Sequence, residues 1–155
     1  MHQSYRFAIP YFTIFGVLLL LSGATLFISK LGISYESVST FYLGNVEQFS
    51  QPKSSYGLLE TALPHLGAMG LFIFVSAHFM LFTPKKARQR ALVPALVLFV
   101  AALLDIGSGF LIIQGWTFFV SVKIIAFLTL QTVGLYLLFL VFKSTLTSLQ
   151  KYKGK

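Results

Sequence analysis

Cysteine is absent from the chain, which excludes disulfides, thiolate metal sites and cysteine nucleophiles. Acidic residues are scarce as well: four Asp and Glu stand against twelve Lys and Arg in 155 residues. Charged residues of both signs together make up only 10% of the chain, whereas soluble domains carry about a quarter. Histidine is confined to His2, His65 and His78. There is no HExxH metal motif and no nucleophile–base pair in a recognisable context, so nothing marks the chain as a hydrolytic enzyme on its own. Internal repeats and low-complexity tracts are also missing.

What fills the chain is hydrocarbon. Hydrophobic residues account for 56%, with seventeen Phe and seven Tyr. Apolar runs over about 7–29, 56–82, 91–114 and 118–142 are each long enough to cross a bilayer as a helix. They leave an outer loop at 30–55, a basic loop at 83–90 and a basic tail at 143–155. The fold expected is all-α: one transmembrane domain over 1–155, an integral membrane four-helix bundle running up-down-up-down. The first run could be mistaken for a cleaved signal peptide, since Ser22, Gly23 and Ala24 fit a small-x-small site. It continues apolar through Leu26, Phe27 and Ile28, as a retained anchor helix does. A tight turn around Gly115, Trp116 and Thr117 makes spans three and four antiparallel neighbours.

The net charge of +8 raises nucleic acid as a partner, and its distribution argues for the membrane instead. Arg6, Lys85, Lys86, Arg88, Arg90, Lys143, Lys151, Lys153 and Lys155 flank spans on one side. Lys30 and Lys53 lie in the other connection, offset by Glu36 and Glu47. The positive-inside rule then puts both termini in the cytoplasm, N-in and C-in, with the 31–56 loop outside. That loop contains Tyr35, Phe41, Tyr42 and Phe49, more aromatic than a mobile linker. It reads either as an interfacial segment anchored by its rings or as a cap over polar groups beneath it.

Those polar groups are the most informative feature. His65, Asp105 and Lys123 each interrupt a different apolar run, where a charge is costly and marks a functional-site hypothesis. Helical rise places all three roughly 10–14 Å below the same face. Asp105 and Lys123, on hairpin neighbours, are expected to pair, either as a structural bridge or with Asp105 as a proton or cation carrier. Pro64 deprives the Glu60 carbonyl of its helical donor, so a kink or break beside His65 is expected. Thr61 and Ala68 on one helix, and Ala101 and Gly109 around Asp105 on another, would let the two helices approach closely. Glu60 stands near the outer mouth, as a solvated residue or a feed of protons toward His65. Gln131 and Thr132 in the last span are expected to hydrogen-bond across helices.

His65 and His78, thirteen residues apart on one span, raise the question of haem b. At about 100° per residue the rings would stand about 140° apart around the helix. A bis-His haem would need a ligand from a second chain. His/Met ligation involving Met69 would also draw on another chain, and Met in an apolar helix is usually packing. His78 alternatively lies near headgroups. Cofactor occupancy is therefore left open, with haem b or a copper-type site as candidates.

The stretch FYLGNVEQFSQPKSSYGLLETALPHLGAMGLFIFVSAHFMLF, followed by LLDIGSGFLII, resembles a group of small bacterial inner-membrane proteins. They share four spans, a YxGN-like outer loop with a PKS-like segment, and a His-containing second span. The likeness covers most of the chain from Phe41 onward. It implies a multi-pass protein of the bacterial inner (cytoplasmic) membrane and no particular activity. Some members open the second span with His-Pro-His. Here Leu63 stands at the first of those positions, leaving His65 alone after Pro64. The functions expected are a subunit or accessory protein of a larger membrane complex, such as a respiratory one, partnered by other subunits or by its own copies. The alternatives are a haem b electron-transfer subunit and a proton- or ion-translocating protein.

Overall fold

The computed structural model describes residues 3–47, 49–81 and 85–153, with side chains described from 8 to 143 except 48, 82–84, 86 and 87. Residues 82–84, the expected end of the second span and start of the basic loop, lie outside the described residues. Five helices follow one another: α1 Gln3–Lys30, α2 Tyr35–Leu43, α3 Ser55–Met80, α4 Lys85–Ile113 and α5 Phe118–Lys153. Four of them contain membrane-length apolar stretches, Ala8–Lys30, Ser55–Met80, Arg88–Ile113 and Phe118–Lys143. They alternate in direction, so both described ends of the chain share one end of the bundle, here the basic end. Residues 31–54 cover the other, the loop end. The protein is a helical membrane bundle.

Several helices run further than the apolar pattern. The basic run from Lys85 to Arg90, expected as loop, forms the first turns of α4, and α5 continues helical through the basic tail to Lys153. Between α4 and α5 the turn is closed by Gly115 at φ +93°. Its N–H bonds the Ile112 carbonyl at 2.9 Å while Trp116 N–H reaches Leu111 O at 3.1 Å. That double closure needs a left-handed residue, which glycine adopts without a Cβ penalty.

Lipid sets the outward pattern. Leu18, Leu71, Phe74, Val93, Ile125 and Phe139 are each more than half exposed, as side chains facing hydrocarbon should be. Hydroxyls within the spans satisfy themselves on their own helix, because the bilayer core offers no water. Thr13 donates to Ile9 O, Thr25 to Leu21 O and Thr129 to Ile125 O, at 2.8–2.9 Å. Thr132 does the same to Leu128 O at 2.8 Å, which corrects the expectation that it bonds across helices. Tyr56 and Trp116, 72% and 60% exposed, stand at the loop end, where amphipathic rings favour the interface.

Packing runs in the order α1, α5, α4, α3, with α4 and α5 sharing the largest interface and α2 lying against both. Two cores result. One, toward the basic end, gathers Leu20, Met69, Phe72, Leu98 and Leu137. The other, toward the loop end, joins Phe27, Val38, Tyr42, Ile112, Val120 and Phe127. α1 and α3 meet only sparingly, through Phe12 against Phe72 and Phe79 in the basic half. α3 runs unbroken through Pro64, so the break expected there does not form.

Candidate functional site

Asp105 and Lys123 are the most deeply placed charges of the described chain, each 6% exposed. α4 and α5 deliver them from opposite sides of their shared interface. The Lys123 ammonium donates to Asp105 Oδ1 at 3.0 Å and to the Asp105 main-chain carbonyl at 2.7 Å. Ser108 Oγ also donates to that carbonyl, at 3.0 Å. A low-dielectric site makes an unpaired charge expensive, and this double attachment answers it. It also sets the register of the α4–α5 hairpin, because shifting either helix by a residue would separate the pair.

Aromatic rings close the rest of the Lys123 environment. The ammonium lies 5.9 Å from the ring centroids of both Phe27 and Tyr42, within cation–π range. Phe27 is itself stacked on Phe127 at 3.8 Å between centroids. Tyr42 comes from α2, in the loop between the first two spans, and its ring is seated over Gly109. A Cβ there would stand 3.1 Å from Tyr42 Cε1, so glycine makes the seat. Burial pushes the Tyr42 phenol above its ordinary pKa, and the neighbouring Lys123 ammonium works in the opposite direction.

α2 is built to hold Tyr42 down. Ser34 caps its start by accepting from Ser37 N–H at 3.1 Å, and Gly44 follows its end. Val38 and Tyr42, four residues apart and so on one face, are both buried. Tyr35 OH donates to Thr117 O at 3.3 Å, tying the helix to the α4–α5 turn. Beyond it, Lys53 N–H bonds Tyr42 O at 2.9 Å, and the Lys53 ammonium rests 4.7 Å over the Phe41 ring. Of the two readings of this loop, the cap over the polar groups describes its packing.

His65 approaches from α3. Its Nε2 stands 3.7 Å from Asp105 Oδ2, beyond hydrogen-bond reach, and its side chain is 45% exposed. His65 and Lys123 thus approach Asp105 from opposite carboxylate oxygens, at 3.7 Å and 3.0 Å. Thr61 and Ala68, expected to pack closely against α4, are instead exposed, and Gly109 receives Tyr42 rather than a span. Glu60 is exposed and its carboxylate makes no ion pair or hydrogen bond among the described residues. Met69 is turned into the apolar core at 5% exposure. His78 lies exposed near the basic end, its ring 6.3 Å from Phe74. Among the described residues no three His, Asp or Glu side chains converge as a metal site.

Phe27 and Tyr42 belong to the site and were not singled out from the sequence. The available signal for Tyr42 was the segment between Gly32 and Gly44, with a capping serine and apolar residues at i and i+4. No curated protein and no solved structure matches the chain. Residues 32–152 match the family model Aq_1264_TM, described as a transmembrane helical domain, and the chain belongs to that family.

Proposed function

We propose that the protein is a small integral membrane subunit that joins a larger assembly through the loop-end half of α3. The observation that carries this reading is the exposure of that half-helix. From residue 59 to residue 68 no side chain is buried, although the helix is membrane-embedded and contains Glu60 and His65. Ionisable groups at bilayer depth face protein or water-filled space rather than lipid. A Cβ added at Gly67 or Gly70 would meet nothing within 4 Å, so neither glycine serves this chain's own packing. Small residues of that kind admit a neighbouring helix at close range. The partner would be a transmembrane helix offering a hydrogen-bonding side chain at the level of His65. The Asp105–Lys123 lock would hold His65's neighbour in place beneath the Tyr42 cap. N-in, C-in insertion in a bacterial inner membrane is part of the same reading, supported by the nine basic residues gathered at one end.

The test is native-gel migration of the protein extracted from its own membranes, compared with Gly67→Leu and Gly70→Leu. Loss of the larger species in these variants, with unchanged thermal unfolding of the extracted chain, supports docking at α3. Identical migration of all three contradicts it. Electron transfer through haem b would use the same His65, now facing Asp105, and a reduced-minus-oxidised spectrum of the same preparation tests it. A b-type band lost in His65→Ala would replace the subunit reading with that one.

A further inference from the structure

A groove of about 420 Å3 runs between α4 and α5 on their lipid-facing side. Its floor is made by Ala101 and Ala126, both 4% exposed, and its walls include Leu96, Leu104 and Ile125. The two alanines are why it exists: larger residues there would fill it. Thr129, its one hydroxyl, is turned back onto the Ile125 carbonyl at 2.8 Å and offers the groove nothing polar. A sugar or polar cofactor has no partner in such a place, whereas an acyl chain does.

The helical register carries the groove toward cations. Seven residues return a helix to within about 20° of the same face, so Arg90 shares the face of Val97 and Leu104, one heptad nearer the basic end. On α5, Lys143 lies two heptads beyond Thr129, on the same side of its helix to within about 40°. Both basic side chains are exposed, and Lys143 rests 5.8 Å over the Phe139 ring. The four acids, Glu36, Glu47, Glu60 and Asp105, all belong to the loop end.

We propose that the α4–α5 groove is a binding site for an anionic glycerophospholipid, with an acyl chain along Ala101 and Ala126 and the phosphate held by Arg90 and Lys143. The groove supplies shape, and the cations supply preference for headgroup charge. Basic pockets between spans bind anionic headgroups in this way, with about fivefold in affinity per basic residue at the surface. Arg88 is a built-in control. It lies two residues from Arg90, so it points to roughly the opposite side of α4, at about 200°.

The experiment is native mass spectrometry of the full chain in mild detergent, titrated with equimolar dioleoyl phosphatidylglycerol and dioleoyl phosphatidylcholine. Preferential retention of phosphatidylglycerol is expected. Arg90→Gln and Lys143→Gln should each lower that preference by about fivefold, with Arg88→Gln leaving it within a factor of two. Val97→Trp, which fills the groove from an exposed position, should reduce retention of both lipids. Equal retention of the two lipids by the unmodified chain overturns the proposal. So does an Arg88→Gln effect equal to that of Arg90→Gln, which would mean diffuse attraction, and so does undiminished retention by Val97→Trp, which would mean another occupant or none.

Discussion

At the residue scale the Asp105–Lys123 pair dominates. Each charge is held out of water by packing, so removing one partner leaves the other uncompensated, at about 3–5 kcal/mol. Asp105→Asn or Lys123→Met alone should lower the unfolding temperature in detergent sharply, and the double change should recover part of the loss. A double change that costs as much as the two single changes added together would mean the two side chains are not energetically coupled. Glycines two residues apart give a finer contrast. Gly109→Leu must displace the Tyr42 ring, whose Cε1 would lie 3.1 Å from the new Cβ, and should cost about 1–3 kcal/mol. Gly107→Ala meets nothing within 4 Å and should be neutral or stabilising by up to about 1 kcal/mol. Both are read as unfolding temperatures of the purified variants. Tyr42 adds a pH dependence. Its folded-state pKa is raised, so its contribution to stability is fully present below the ordinary phenol value of about 10 and is lost as pH rises above it. Tyr42→Phe should show a shallower fall in unfolding temperature between pH 9 and 11 than the unmodified chain.

At the element scale the central feature is α2, a nine-residue helix too short to be stable in isolation. It depends on Val38 and Tyr42 being buried against α4 and α5. Tyr42→Ala should therefore release the whole segment, raising amide exchange from Val38 to Leu43 while exchange in the α4–α5 hairpin changes little. Uniform exchange change across the bundle would show that α2 is no separable cap. The four spans and the meeting of His65, Asp105 and Lys123 were legible in sequence, because lipid imposes long apolar runs and makes buried charge conspicuous. The role of α2 was not. Its aromatics fit an interface or a cap equally well, and the choice depends on the space over Gly109, a tertiary property. The continuity of α3 through Pro64 was likewise set by context, since a lost backbone bond can be tolerated within a span. Thr132 shows the same limit: a mid-span hydroxyl can bond across helices or back to its own, and here it takes the Leu128 carbonyl.

At the scale of the whole molecule, the bundle is sealed unevenly. Toward the basic end Phe12, Phe72, Leu98 and Leu137 bring α1, α3, α4 and α5 around one core. Toward the loop end α4, α5, α1 and α2 enclose Lys123, while α3 contributes Leu58 near its start and His65 at a half-exposed edge. A membrane protein complete in itself would turn the polar residues of α3 inward and leave lipid to the leucines. Here Glu60 and His65 share an exposed half-helix with Gly67, the surface that the proposed docking would use. The measurement that tests this most directly is photo-crosslinking in native membranes, with a photoreactive residue placed singly at Leu63, Leu66 or Leu103. Leu63 and Leu66 lie on the exposed half of α3, and Leu103 faces outward from α4. The account predicts a protein adduct of one defined mass at Leu63 or Leu66 and none at Leu103. Lipid adducts alone at all three positions would contradict it.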